Sequence, residues 1–183
     1  MEIREAQREM RDVFLGGFAG GLASSLLWAV SAVLWTFVSA RAGIIALCAG
    51  GPLLFPASLL ILKLMGRPAA LRRDNPLAAL ARQAAFIIPL CLPVVGGATL
   101  YRLDWFYPAV LIVVGAHYLP FVTLYGMAEY YVVGGLMIGA GIAIALYSIG
   151  LPALGGWAGA GILLIAAFVL RRSVARYAAP AVP

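Results

Sequence analysis

The stretch AGIIALCAGGPLLFPASLLILKLM, residues 42–65, decides the fold. It carries no charge before Lys63, and at about 1.5 Å of helical rise per residue it is long enough to cross a hydrocarbon core of about 30 Å. The segment after it, GRPAALRRDNP at 66–76, is short, polar and basic. An apolar run that ends in arginines reads as a transmembrane helix arriving at a membrane surface, and Lys63 lies near enough to that surface to snorkel. Asp74 or Asn75 can cap the next helix, with Pro76 near its first position.

The same alternation extends in both directions. Apolar spans run over about Val13–Ser39, Ala42–Met65, Leu80–Leu100, Trp105–Tyr125, Tyr130–Ser148 and Ala153–Leu170. The aromatic turn YRLDWFYP (101–108) suits a bilayer interface, IGLP (149–152) makes a tight turn, and AAPAVP (178–183) reads as a frayed tail. The chain is 64% hydrophobic and 11% charged, against about 25% charged in soluble domains. The expectation is therefore an all-α polytopic membrane protein, a bundle of six transmembrane helices, with residues 1–183 as one integral membrane domain.

A short charged helix precedes the first span, over residues 2–12. Glu5 with Arg8, and Arg8 with Asp12, have the spacing of helical ion pairs, and the apolar stripe of Ile3, Ala6, Met10 and Val13 is thin. This reads as a solvated helix on the membrane surface, the alternative being an interfacial anchor or gate. Its mixed charges are not those of a secretory leader.

The net charge of +6 does not point to nucleic acid, because the bases sit at the ends of apolar runs rather than on one soluble face. Of thirteen Lys and Arg, all but Arg41 and Arg102 fall on the side of the two tails and the second-to-third connection. The positive-inside rule then places both termini in the cytoplasm. Cys48 and Cys91 lie in apolar runs with no ligand spacing and read as small buried residues, so no metal or cofactor is implied.

Small residues recur every four positions: Gly17, Gly21, Ser25 and Ala29 in the first span, Gly135, Gly139 and Ala143 in the fifth, Gly155 and Gly159 in the sixth. Such faces let membrane helices approach closely. They read first as packing within the bundle and second as a surface for another copy or a partner membrane protein. GGFAGG (16–21) and GGWAGA (155–160) are alike, but the likeness extends no further, and no internal repeat follows. Pro52, Pro56, Pro89 and Pro93 interrupt the second and third spans, which bends helices and can also open a cavity.

His117, the chain's only histidine, lies about twelve residues into the fourth span, near mid-membrane at a rise of about 1.5 Å per residue. A polar ring at that depth faces the bundle interior or a cavity. Either it is neutral and bonded to a carbonyl or to a hydroxyl such as Ser24, Ser31, Ser58 or Thr99, or it titrates as a proton relay or ligand contact. Glu129 follows the expected helix end at Gly126, and an arginine of residues 67–82 is its expected partner. Were the helix unbroken, Tyr118, Val122, Tyr125 and Glu129 would share one face and line a path from His117; Gly126 argues against it. Trp28 with Trp35, and Ser24 with Ser31, are spaced by seven and line either a pocket or a packed seam. No GxSxG, HExxH or P-loop is present, and no second acid accompanies His117, so catalysis has little support.

The segments EAQREMRD (5–12), LLFPASLLILKLMGR (53–67), NPLAALA (75–81) and YRLDWFYPAVLIVVGAHYLPFVTLYG (101–126) resemble a family of small bacterial six-span membrane proteins of unknown function. The resemblance covers nearly the whole chain. It implies a bacterial inner-membrane protein and transfers no activity. The candidate ligand-binding residues are His117, Tyr118, Thr123, Tyr125, Glu129, Trp105 and Tyr107, with Pro108 and Gly126 beside them. The leading expectation is a small-molecule or lipid binding or transport-like protein with a cavity at His117. The alternatives are a structural or accessory subunit packing through its Gly/Ala faces, and a membrane-embedded lipid-modifying enzyme.

Overall fold

The computed structural model describes residues 1–67, 70–147 and 151–178. The chain forms helices α1 (Ile3–Phe14), α2 (Phe18–Phe37), α3 (Ala40–Gly50), α4 (Leu54–Leu64), α5 (Leu77–Tyr101), α6 (Phe106–Tyr125), α7 (Glu129–Tyr147) and α8 (Leu154–Ala178), with no strand among the described residues. Six helical segments are long and apolar enough to cross a membrane, α3 and α4 together making one of them. The expected all-α, six-span architecture is the one observed. The sixth helix runs past Leu170, so Arg171, Arg172 and Arg176 sit on its last turns rather than beyond it. The expected turn over IGLP and the tail from 179 onward fall wholly or partly outside the described residues.

The prolines act differently in the two spans they interrupt. Gly51–Leu53 is a tighter helical turn that separates α3 from α4, and Pro56 lies in the first turn of α4, where its missing N–H leaves nothing unpaired. By contrast, α5 stays helical through Pro89 and Pro93.

α1 is not the solvated surface helix expected. Leu15, Gly16 and Gly17 all have positive φ (51°, 61° and 84°), which turns the chain sharply and folds α1 under the bundle. Ala6 and Met10 are buried there. Gln7 Nε2 donates to the Thr123 carbonyl at 2.8 Å, and the Arg11 guanidinium donates to the Tyr125 carbonyl. Those carbonyls belong to the last turn of α6, which has orphan acceptors and a partial negative charge. The anticipated ion pairs within α1 do not form. Glu5 instead meets Arg72 at 3.4 Å, and Glu9 accepts from the Arg72 backbone N–H at 2.6 Å and from Asn75 Nδ2 at 2.8 Å. Buried Asn75 also donates to the Ala6 carbonyl at 3.3 Å and caps α5 by accepting from Leu77 N–H at 2.9 Å. α1, the C-terminal end of α8 and residues 70–76 thus gather at one end of the bundle, called here the basic end.

Within the bundle α6 lies along α7 and α2 along α8, while α4 rests on α2 and α5 on α6. α4 and α5 scarcely touch each other. The small-residue faces of α2 and α8 are used internally. A Cβ on Gly21 would lie 3.0 Å from Ala167, Gly155 packs on Tyr107, and Gly159 on Trp28; Ser25 Oγ donates to the Ala160 carbonyl at 3.1 Å. On α7 the packing face is one residue away from the expected stripe. Gly134 and Gly141 meet α6 at Gly115 and Pro108, whereas Gly135 and Gly139 have nothing within 4 Å. Cys48 is exposed on α3 and Cys91 half-buried on α5, not the buried pair expected, because the outer faces of these two helices have no protein neighbour.

Candidate functional site

The near-absence of contact between α4 and α5 leaves a cavity of about 650 Å³, within the roughly 300–1,000 Å³ of ligand pockets. Its inner wall is built by α2, α6, α7 and α8, and its basic end by Met10 and Phe14 of α1. The walls are mainly apolar. On its outer side Phe55 of α4 and Phe86 of α5 line the cavity and are also 64% and 63% exposed. Each lies nine residues from the basic-end terminus of its helix, so at about 1.5 Å per residue the two rings are level with each other. The cavity therefore opens sideways, between two phenylalanines, onto the apolar girdle of the bundle.

His117 lines this cavity. Its Nδ1 is 2.8 Å from the Ala84 carbonyl of α5, so that nitrogen carries the proton and donates. This is the carbonyl contact considered from sequence. Pro89 has already removed the N–H that would meet the adjacent Ala85 carbonyl, loosening α5 at this level. Nε2 of the neutral ring is left as an acceptor with no partner among the described residues. The ring packs edge-on against Phe121, with centroids 4.9 Å apart.

Of the other sequence candidates, Tyr118 and Tyr125 share the cavity wall with His117. Both stack on Tyr130, with centroids 5.9 and 5.3 Å apart, and Tyr130 Oη donates to the Gly16 carbonyl at 2.8 Å, tying α7 to the α1–α2 corner. Thr123 is exposed, its carbonyl taken by Gln7. Gly126 ends α6 in the left-handed conformation, so the tyrosine face does not run on to Glu129. Glu129 finds no arginine of residues 67–82. It accepts from the Tyr177 hydroxyl of α8 at 2.9 Å, because α8 runs on far enough to reach it while Arg72 is engaged with Glu5 and Asp74. Trp105 lies at the other end of the bundle, under Arg102 at 5.7 Å. Tyr107 is fully buried there beside Pro108 and shares a 2.7 Å hydrogen bond with Ser31. The seven-residue spacing on α2 thus serves both purposes considered: Ser24 and Trp28 face the cavity, while Ser31 and Trp35 pack against Tyr107.

Sequence reasoning passed over Arg82, Phe55, Phe86 and Gly20 as lining residues. Arg82 had been counted only as a topological charge. It carries the one formal charge among the described residues lining the cavity, and it has no acidic partner among them. No group of three His, Cys, Asp or Glu converges among the described residues, and a metal centre has no ligands there.

The chain belongs to the DUF7010 family of unknown function. The match spans residues 3–173, which takes in α1, the first five spans, most of the sixth and every cavity-lining residue named above. No curated protein and no solved structure matches the chain.

Proposed function

We propose that this protein binds a lipid or lipid-like small molecule in the cavity at His117, within a bacterial inner membrane, with both termini in the cytoplasm. The observation that carries the reading is the cavity of about 650 Å³ that opens between Phe55 and Phe86. A water-filled pocket would open at the bundle's end, whereas this one opens where hydrocarbon surrounds the protein. The orientation rests on the gathering of Arg and Lys at the basic end. A bilayer lipid needs no aqueous route to reach such a site, and the same opening serves its release, as a transport-like role would require.

Trp28 forms one wall and is 3% exposed, so it reports on the interior. Brominated phosphatidylcholine added to the detergent-purified protein should quench Trp28 in a saturable way. Gly20 lines the cavity and has nothing within 4 Å of its Cβ position, so Gly20→Leu fills the space without a backbone clash. That variant should lose the saturable quenching at an unchanged melting temperature. Equal quenching in both proteins would remove the cavity from consideration.

A further inference from the structure

The cavity is layered. Counted from the basic-end terminus of each helix, Arg82 lies five residues in, Ser24 and Ser58 six, and His117 eight. At about 1.5 Å per residue these four side chains, from four different helices, form one polar belt roughly 8–12 Å below the helix ends. Beyond it, toward mid-membrane, the walls are Phe55, Phe86, Trp28 and Val114. α5 has 25 residues and so measures about 37 Å, longer than the roughly 30 Å hydrocarbon core. With that surplus of about 7 Å at the basic end, the Arg82 backbone lies close to the hydrocarbon boundary, from which its long side chain reaches phosphate level, while the serines, His117 and the apolar layer lie at acyl-chain depth.

The belt is also electrically one-sided. Arg82 brings a positive charge, and no acid lines the cavity among the described residues. The neighbouring arginine of the connection, Arg72, is by contrast engaged by Asp74 at 3.0 Å and by Glu5 at 3.4 Å. His117 Nε2 adds an unpartnered acceptor, which suits a hydroxyl. A cation whose side chain reaches phosphate level, an acceptor deeper in the wall, an apolar layer and a lateral opening between two phenylalanines match one kind of molecule.

We propose that the cavity holds an anionic phospholipid of the leaflet at the basic end, its phosphate at Arg82 and one acyl chain passing between Phe55 and Phe86. This rests on the lipid-binding reading above and narrows it to a headgroup class.

The test uses the full chain with Trp35→Phe, Trp105→Phe and Trp157→Phe, which leaves Trp28 as the reporter, in neutral detergent. Brominated phosphatidylglycerol and brominated phosphatidylcholine are titrated separately. The expected result is an apparent affinity about fivefold higher for phosphatidylglycerol, the factor of about 1 kcal/mol that one basic residue contributes toward an anionic lipid. Arg82→Gln should erase that preference, lowering the affinity for phosphatidylglycerol more than that for phosphatidylcholine, and Gly20→Leu should abolish binding of both. Equal affinity for the two lipids in the parent protein, or a preference that survives Arg82→Gln, would overturn the headgroup assignment and leave the cavity reading standing. Absence of saturable quenching by either lipid would overturn both. Brominated stearate is a third arm, and binding of it as tight as phosphatidylglycerol would overturn the phospholipid in favour of a free fatty acid. Native mass spectrometry of wild type against Arg82→Gln, with the same two phospholipids, reads the same preference without the tryptophan substitutions.

Discussion

Gly159→Ala is the substitution whose outcome the packing determines most directly. A Cβ at this position of α8 would sit 2.2, 2.4 and 2.8 Å from Cε3, Cζ3 and Cδ2 of Trp28. Carbon atoms in contact lie about 3.5–4.0 Å apart, so the indole or the helix must shift by more than an ångström. Trp28 is 3% exposed and is held on another side by Tyr107, with ring centroids 6.0 Å apart. Overpacking of this kind costs about 1–3 kcal/mol, and the gain in helix propensity from Gly to Ala returns up to about 1. The net expectation is a loss of about 1–2 kcal/mol. Thermal unfolding in one detergent, followed by intrinsic fluorescence, should show it as a melting temperature lowered by several degrees. Gly135→Ala is the control, since nothing lies within 4 Å of that position on α7, and it should melt at or above wild type. Trp28 also lines the cavity, so an indole pushed into that space by Gly159→Ala should weaken lipid quenching. A Gly159→Ala protein as stable as wild type, or a Gly135→Ala protein less stable than Gly159→Ala, would refute the close approach of α8 to α2 on which the inner cavity wall depends.

Three further outcomes follow from named contacts. Arg11→Met leaves the last turn of α6 without its buried cationic donor; at about 1.5–3 kcal/mol for a hydrogen bond to a charged group, melting should fall and amides of α1 should exchange faster, while unchanged exchange would mean α1 is held elsewhere. His117→Ala removes one hydrogen bond to a carbonyl that keeps its helical partner, so stability should drop by about 0.6–1 kcal/mol, a larger loss implying that the ring braces α5. The hydrogen bond from Arg72 holds the Asp74 carboxyl below the ordinary carboxylate range, so the stability it contributes is present above the unfolded-state value and is lost as pH falls through the lower folded one. Melting temperature should therefore decline on acidification below about pH 4, and Asp74→Asn should flatten part of that decline; a variant with the same acid slope as wild type would exclude the pair.

What could be read from the sequence was whatever depends on hydropathy, charge and local backbone chemistry. The six spans, the cap at Asn75, the stop at Gly126 and a carbonyl partner for His117 all belong to that class. What escaped depends on contacts between segments distant in sequence. The docking of α1 needed the α6 carbonyls as partners for Gln7 and Arg11, and nothing near residue 11 signals them. α7 carries glycines at both 134 and 135; the four-residue stripe ran through Gly135, whereas the approach of Gly115 selects Gly134. Glu129 went to Tyr177 because α8 outran its apolar segment. The cavity was legible only at its centre: His117, Tyr118 and Tyr125 were marked by their polarity, whereas Phe55, Phe86 and Gly20 look like any other membrane residue.

The opening between α4 and α5 follows from the solvent. In water two apolar helices separated by a gap would close it, because burial of their facing surfaces is favourable. In a bilayer lipid tails are as apolar as the side chains, so closing the gap gains little, and helices meet only where small residues or hydrogen bonds bring them together. Gly21, Gly115, Gly134, Gly141 and Gly159 do this for α2, α6, α7 and α8. Among the described residues α4 and α5 have no such glycine contact, and Gly51, Gly96 and Gly97, in the spans they belong to, meet nothing within 4 Å. Each is instead held by its own neighbour, α4 by α2 and α5 by α6, and α5 is tied down further at the basic end. Residues 72–75, just before α5, are pinned to α1 through Arg72, Asn75 and Glu9, and α1 is in turn pinned to α6. α1 therefore ties the start of α5 to the last turn of α6, at the end of the bundle where Arg82 enters the cavity.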